Sequence, residues 1–227
     1  MQMNDLGDTM HRACVRVGVV SMPQRPGLYR NHVKRAIDVL AVIMGLPIVI
    51  PSILLLALVI MMQGNRPFYT SDRVGKNGRT FRMLKLRTMV RDADERLGSY
   101  LAANPVARAE WENTQKLKQD PRITSFGRFL RKSSLDELPQ LWNVLVGDMS
   151  LVGPRPMMPA QRSLYAGLAY YGLRPGMSGF WQISDRNECG FEKRASFDAD
   201  YDAQLCFFTD MSILLRTLAV VAKGTGY

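Results

Sequence analysis

VLAVIMGLPIVIPSILLLALVIMM, residues 39–62, runs for 24 residues without a charged side chain. As a straight helix it would cross a hydrocarbon core of about 30 Å. Pro47 and Pro51 sit in its middle, where each removes a backbone donor and crowds the preceding turn. Pro51 divides the run into halves of twelve residues, each roughly 18 Å long if helical and too short to cross alone. The flanks bear on topology. Between Thr9 and Ile37 there are six basic residues and no acid; between Gln63 and Arg91 there are eight basic residues and one acid, Asp72. Cytoplasmic loops collect Lys and Arg, so both flanks belong on one side, which a re-entrant helical hairpin satisfies. The alternative is a kinked transmembrane helix with one basic flank misplaced. A broken backbone at membrane depth must find its partners within the protein.

Outward from this run, residues 1–30 show no sustained periodicity and no signal-peptide pattern, and read as a loosely ordered tail. Residues 31–65 read as a membrane segment with its basic flanks, and residues 66–227 as the main domain. The whole chain has 227 residues, 47% apolar and 22% charged, enough for a sizeable core. Thirty Lys and Arg against twenty Asp and Glu give +10, which points to anionic partners. Three cysteines, none in a C-x-x-C pair, make a disulfide framework or cysteine zinc site improbable. The two histidines, His11 and His32, leave 195 residues with none. Histidine triads and histidine metal sites are thereby excluded from the main domain, and carboxylates, Arg and Lys must do any chemistry.

Phe68–Met89 reads as a β-hairpin with Asn77-Gly78 at its tip. Asp92–Lys118 reads as one or two helices interrupted near Asn104-Pro105. Between Asp120 and Pro156 lies the densest segment, DPRITSFGRFLRKSSLDELPQLWNVLVGDMSLVGPRP. There Leu135, Leu138, Leu141, Trp142 and Leu145 recur at helical spacing and predict a buried face, with Asp136, Glu137, Gln140 and Asn143 off it. Ser134 and Glu137 have capping-box spacing, which would explain the acids structurally. Arg128, Arg131 and Lys132 precede them, so cations, acids and helix-start amides converge where a phosphate could sit. Two adjacent carboxylates on a helix point about 100° apart and can divide labour, one attacking phosphorus and one holding a metal. Pro154-Arg155-Pro156 pre-orients a guanidinium for phosphate, or is a structural turn. Gly179-Phe180-Trp181-Gln182 offers an aromatic ring and an amide to a base or sugar.

KRAID before the apolar run, Pro51 within it, RVGKNGRTFRMLKLRTM, DPRIT, LRKSSLDELPQLWNVLVGDMSLVGPRP and LRPGMSGFWQIS, followed by Arg186-Asn187, together resemble one family. They are similar to the bacterial sugar transferases, monotopic polyprenyl-phosphate phosphoglycosyl transferases, from about Lys34 to Gly226. The GTGY tail and SYLAANPVARAEW look most like the rhizobial-type galactosyl phosphotransferases.

The resemblance implies an α/β fold, a mainly helical catalytic domain with a small hairpin or sheet, seated on a re-entrant membrane helix broken at Pro51. It implies an enzyme of the bacterial inner membrane facing the cytoplasm. That enzyme would move a sugar 1-phosphate, galactose 1-phosphate by subfamily, from a UDP-sugar to undecaprenyl phosphate with release of UMP, the first membrane step of exopolysaccharide synthesis. By resemblance Asp136 is the nucleophile of a covalent phosphosugar intermediate and Glu137 helps bind Mg²⁺. Arg131 and Arg155 hold phosphate or nucleotide. Lys85 and Arg87 serve the polyprenyl phosphate or the active-site wall, and Arg128 and Arg186 are further substrate-binding candidates. Membrane lipid is a partner, nucleic acid is not, and a homodimer is compatible. Where many members carry Ser before the breaking proline, this chain has Ile50, which leaves Ser52 to pair the freed backbone. WQISDR places Asp185 where Gly is usual. The competing readings are a membrane-anchored basic protein that binds nucleic acid or acidic lipid, and a scaffold subunit indifferent to Asp136 and Glu137.

Overall fold

A computed structural model describes residues 27–114, 117, 119–184 and 193–222. Up to residue 26 the expected tail lies outside the described residues. The architecture is mainly helical with a small hairpin, as the sequence suggests. A π-helical turn, Tyr29–Val33, leads into α1, Lys34–Met62. Both prolines lie inside α1, so the division expected at Pro51 is not seen as two separate helices. Ser52 Oγ donates to the Ile48 carbonyl at 2.8 Å, one residue from the Pro47 carbonyl whose donor Pro51 cannot supply. A proline costs its own bond without ending a helix whose apolar neighbours have no other way to satisfy their backbone.

Both halves of α1 pack on the same domain. Asp38 accepts from Ser150 Oγ at 2.6 Å and from the Leu151 N–H at 3.3 Å. Val42 is buried with Met83, Val144 and Met149. Eighteen residues further on, Ile60 is buried with Leu86 and Leu130. The opposite side of α1, including Leu40, Met44, Ile48, Leu55 and Met62, is exposed along its whole length.

The hairpin pairs β1, Phe68–Val74, with β2, Thr80–Leu86, in a register that sets Tyr69 opposite Lys85, Ser71 opposite Met83 and Arg73 opposite Phe81. Its tip turns through Asn77 and Gly78, both at positive φ, as Asn-Gly chemistry requires. Helices α2, Ala93–Ala103, and α3, Pro105–Thr114, part at Asn104 as expected. Next come α4, Ser125–Lys132, and α5, Gln140–Val146, followed by β3, Ser150–Val152. Strand β3 pairs in parallel with β4, Gly176–Ser178, beyond the short α6, Ala169–Gly172. The chain continues through α7, Phe180–Ile183, α8, Arg194–Gln204, and α9, Phe207–Ala222. Helix α9 is tied to the start of α1 by buried Asp210, which accepts from Tyr29 Oη at 2.6 Å, Lys34 Nζ at 2.8 Å and Tyr201 Oη at 2.7 Å.

The buried face predicted for 135–145 holds in part: Leu135, Leu141 and Leu145 are partly buried and pack against the two core clusters beside α1. Trp142 is 61% exposed, while Gln140, Asn143 and Val144 are buried. The reason lies in β2, whose outer edge needs partners: Asn143 accepts from the Leu84 N–H at 3.0 Å and donates to the Arg82 carbonyl at 2.8 Å. That pairing turns the polar side of α5 inward and leaves Trp142 outside.

Candidate active site

The site is assembled from β2, α4 and the turn between α4 and α5. Beyond β2, the Thr88 carbonyl accepts the Thr124 N–H at 3.1 Å, and Thr124 Oγ1 caps α4 by accepting from the Gly127 N–H at 2.9 Å. A Cβ on Gly127 would stand 2.0 Å from that same Thr88 carbonyl oxygen, so only glycine lets α4 lie this close. The docking brings Arg131 Nε to Thr88 Oγ1 at 2.9 Å. Two residues beyond α4, Ser134 takes a left-handed conformation, φ 56. There it serves as the terminator of α4, a position left-handed residues commonly fill. An N-cap needs extended backbone, so the expected capping box does not form.

Asp136 and Glu137 therefore sit on a 3₁₀ turn, Leu135–Glu137, rather than in the first turn of an α-helix. Lys85, on the inward face of β2, reaches both: its Nζ is 2.7 Å from Glu137 Oε1 and 3.5 Å from Asp136 Oδ2. Asp136 is buried, at 8% exposure. Burial pushes its carboxyl above the ordinary aspartate value; Lys85 pulls it down, Glu137 pushes it up and Arg131 pulls it down. Burial likewise lowers the Arg131 guanidinium, against the pull of Asp136 and Asp120. The result is a shielded carboxyl flanked by two cations, beside a second carboxylate.

Four of the candidates thus converge: Lys85, Arg131, Asp136 and Glu137. Arg128 is exposed on α4. Arg87 donates to the Arg66 carbonyl at 3.1 Å and lies over the Tyr69 ring at 5.7 Å, on the wall of the hairpin. Arg155 is exposed, in a loop drawn against β4 by Gly153, Gly176 and Gly179, whose added Cβ atoms would stand 2.1 to 2.3 Å from backbone atoms of that contact. Arg186 and Asp185 lie outside the described residues. Sequence reasoning passed over Thr88, which orients Arg131, and over Ser71 and Arg73 on the inward face of β1. Strand alternation from Lys85 across the hairpin register was the available signal. Gln182, singled out for its amide, is buried with neither amide atom hydrogen-bonded among the described residues.

The model of the family described as bacterial sugar transferase matches residues 29–224. The chain belongs to this family. It is 45% identical over 198 residues to the UDP-galactose-lipid carrier transferase of Erwinia amylovora, an alignment covering 86% of this chain and 42% of that protein. Identity and coverage are the same for the undecaprenyl-phosphate galactose phosphotransferase of Salmonella typhimurium. The chain thus spans about two fifths of the length of these two relatives. The exopolysaccharide production protein ExoY of Rhizobium meliloti is 42% identical over 211 residues, covering 90% of this chain and 93% of that protein. In this sugar transferase the matched region takes in the apolar helix α1, the hairpin and the carboxylate pair together.

Proposed function

We propose that this sugar transferase moves galactose 1-phosphate from UDP-galactose to undecaprenyl phosphate, releasing UMP, through a covalent intermediate on Asp136. The observation that carries the reading is the buried Asp136 carboxylate held between Lys85 and Arg131, in a domain whose described residues contain no histidine beyond His32. The names of the relatives support the donor sugar and the lipid acceptor, and that of the rhizobial relative supports a place in exopolysaccharide production.

The chemistry balances without a proton relay. An Asp136 carboxylate oxygen bonds to the sugar-bearing phosphorus as the bond from that phosphorus to the bridging oxygen breaks, and its electron pair leaves with UMP. A phosphate oxygen of undecaprenyl phosphate then attacks the same phosphorus and returns Asp136 to carboxylate. Such transfer depends on positioning and charge neutralisation rather than acid–base machinery, and Lys and Arg supply both. Lys85 holds Glu137 and Asp136 apart from one another's charge, and Arg131, fixed by Thr88, faces the reacting phosphoryl group.

The donor set suits magnesium: two adjacent carboxylates, hard oxygen ligands, to be completed by phosphate oxygens and water. No group of three metal-ligating side chains occurs among the described residues, so the remaining ligands of such an ion would have to be substrate oxygens and water. A carboxylate offers about four lone-pair sites, so the bond from Lys85 does not exhaust Glu137. When bound, the ion would neutralise phosphate charge, with Glu137 as its holder.

Packing of both halves of α1 on one domain, under a continuous exposed apolar face, supports a monotopic, re-entrant seat in the inner membrane with the catalytic domain in the cytoplasm. A span would carry Ile60 to the far side, away from Leu86 and Leu130. Asp136→Asn abolishes protein labelling from UDP-galactose labelled in its sugar-bearing phosphate, and sustained turnover by that variant overturns the mechanism. Glu137→Gln raises the Mg²⁺ concentration needed for half-maximal UMP release; an unchanged titration removes Glu137 from the metal.

A further inference from the structure

At the foot of α1 lies a small polar cavity whose lining includes Arg30, Lys34, Arg35, Asp38, Lys76 and Arg174. Five cations and one carboxylate therefore meet there, drawn from α1 and the turn before it, from the hairpin tip and from the loop ahead of β4. Most of them have partners. Arg30 is paired with Asp202, and Lys34 with Asp210 at 2.8 Å. Asp38 accepts from Ser150 Oγ and the Leu151 N–H. Arg35 Nη2 donates to the Leu145 carbonyl at 2.8 Å and Arg174 Nε to the Gly147 carbonyl at 3.0 Å, so both bonds go to neutral main chain. Lys76 is the least compensated. Burial, Arg174 and Arg30 each lower its ammonium, and no carboxylate acts on it among the described residues.

Like charges around one shared space repel, and a half-buried ammonium without a counter-charge is costly. A phosphate group relieves both, since its oxygens accept from ammonium and guanidinium donors at once. Position in the fold indicates the source of that phosphate. Leu40, Ile43 and Met44 begin the exposed apolar face of α1, roughly 9 to 15 Å along the helix from Lys34. With that face in hydrocarbon, the cavity lies at headgroup depth. It is separate from the carboxylate site, because Lys85 stands five residues beyond Thr80 on β2, roughly 17 Å from the tip end of the strand. We propose that this cavity binds the phosphate of an anionic phospholipid headgroup in the leaflet that α1 enters, joining the foot of α1 to the hairpin tip. The proposal rests on the reading of α1 as the membrane seat. A phosphate held here is out of reach of Asp136, so the lipid is a bound structural partner and not a reactant.

The test is binding of a fluorescent short-chain phosphatidylglycerol to full-length protein in uncharged detergent, for wild type, Lys76→Met, Lys76→Arg and Arg79→Met. Arg79 is exposed on the same hairpin, so Arg79→Met loses equal charge outside the cavity. Phosphatidylglycerol binding weakens by roughly tenfold in Lys76→Met and by less than about threefold in Arg79→Met, while Lys76→Arg retains it. The lipid also raises the thermal midpoint of wild type, and raises that of Lys76→Met less. Should Lys76→Met fold poorly, seen as a fallen midpoint in lipid-free detergent, Lys76→Gln carries the same comparison. Equal losses in Lys76→Met and Arg79→Met describe a diffuse basic surface and overturn the proposal. Phosphatidylcholine that binds as tightly as phosphatidylglycerol overturns it as well. Inorganic phosphate that displaces the lipid at equal concentration assigns the cavity to a soluble anion, which also overturns it. Failure of the membrane-seat reading shows separately, as protein that does not float with phosphatidylcholine vesicles, and leaves lipid binding in detergent measurable.

Discussion

Replacing Lys85 with methionine tests the electrostatic core of the site, because the effect appears in the position of a pH profile and not only in a rate. Lys85 Nζ is 3.5 Å from Asp136 Oδ2. At an effective dielectric constant near 20, unit charges at that distance attract by roughly 5 kcal/mol. The lysine side chain is 22% exposed, and screening and relaxation remove a good part of this; a surviving third to a half is roughly 2 kcal/mol, or about 1.5 pH units. The sign follows from the charges. Lys85 favours the ionised form of Asp136, and Glu137 opposes it. Without the lysine the carboxyl holds its proton to higher pH. The acid limb of kcat/KM for UMP release, which reports the free enzyme, therefore moves upward by about 1 to 2 units in Lys85→Met, whatever happens to the plateau. Lys85→Arg, which keeps the charge, leaves the limb within a few tenths of a unit. An acid limb in the wild-type place for Lys85→Met refutes the idea that Lys85 sets the ionisation of Asp136.

Gly127→Ala sets a methyl group 2.0 Å from the Thr88 carbonyl oxygen; backbone must shift, and overpacking of this kind costs about 1 to 3 kcal/mol or more. Urea denaturation shows the loss, and kcat falls as well because α4 carries Arg131. Burial raises the Asp198 carboxyl to about 6, above its unfolded value, so the folded state binds the proton more tightly and stability falls as pH rises from about 4 through 6. Asp198→Asn removes that decline. The difference between the two proteins in thermal or urea stability then grows by up to roughly 3 kcal/mol between pH 4 and pH 7, and a constant difference across that range contradicts the assignment.

Local chemistry was legible because it acts within a few residues. Asn77-Gly78 fixes the hairpin tip through backbone freedom, and Pro105 ends one helix and begins the next. The convergence of cations on Asp136 and Glu137 was legible in part: Arg131 lies five residues away in sequence, and Lys85 was placed by resemblance and not by any spacing. Apolar periodicity at 135–145 held for Leu135, Leu141 and Leu145, which pack against buried clusters, and misled at Trp142 and Asn143. Trp142 is outside, and Asn143 is inside because the backbone of β2 required its amide. The Ser134–Glu137 pair has capping-box spacing, yet the end of α4 claimed Ser134 as its left-handed terminator.

By itself the sequence determined the apolar segment between two basic flanks, the helical composition with one hairpin, and a main domain without histidine. These follow from residue type and from spacings of a turn or two. The tertiary structure alone decided that Lys85 clasps both carboxylates and that Arg131 is held by Thr88. It also decided that both halves of α1 rest on one domain. Each of these depends on hydrogen bonds and ion pairs between residues tens of positions apart, and their energies arise only once burial has excluded water from the contact.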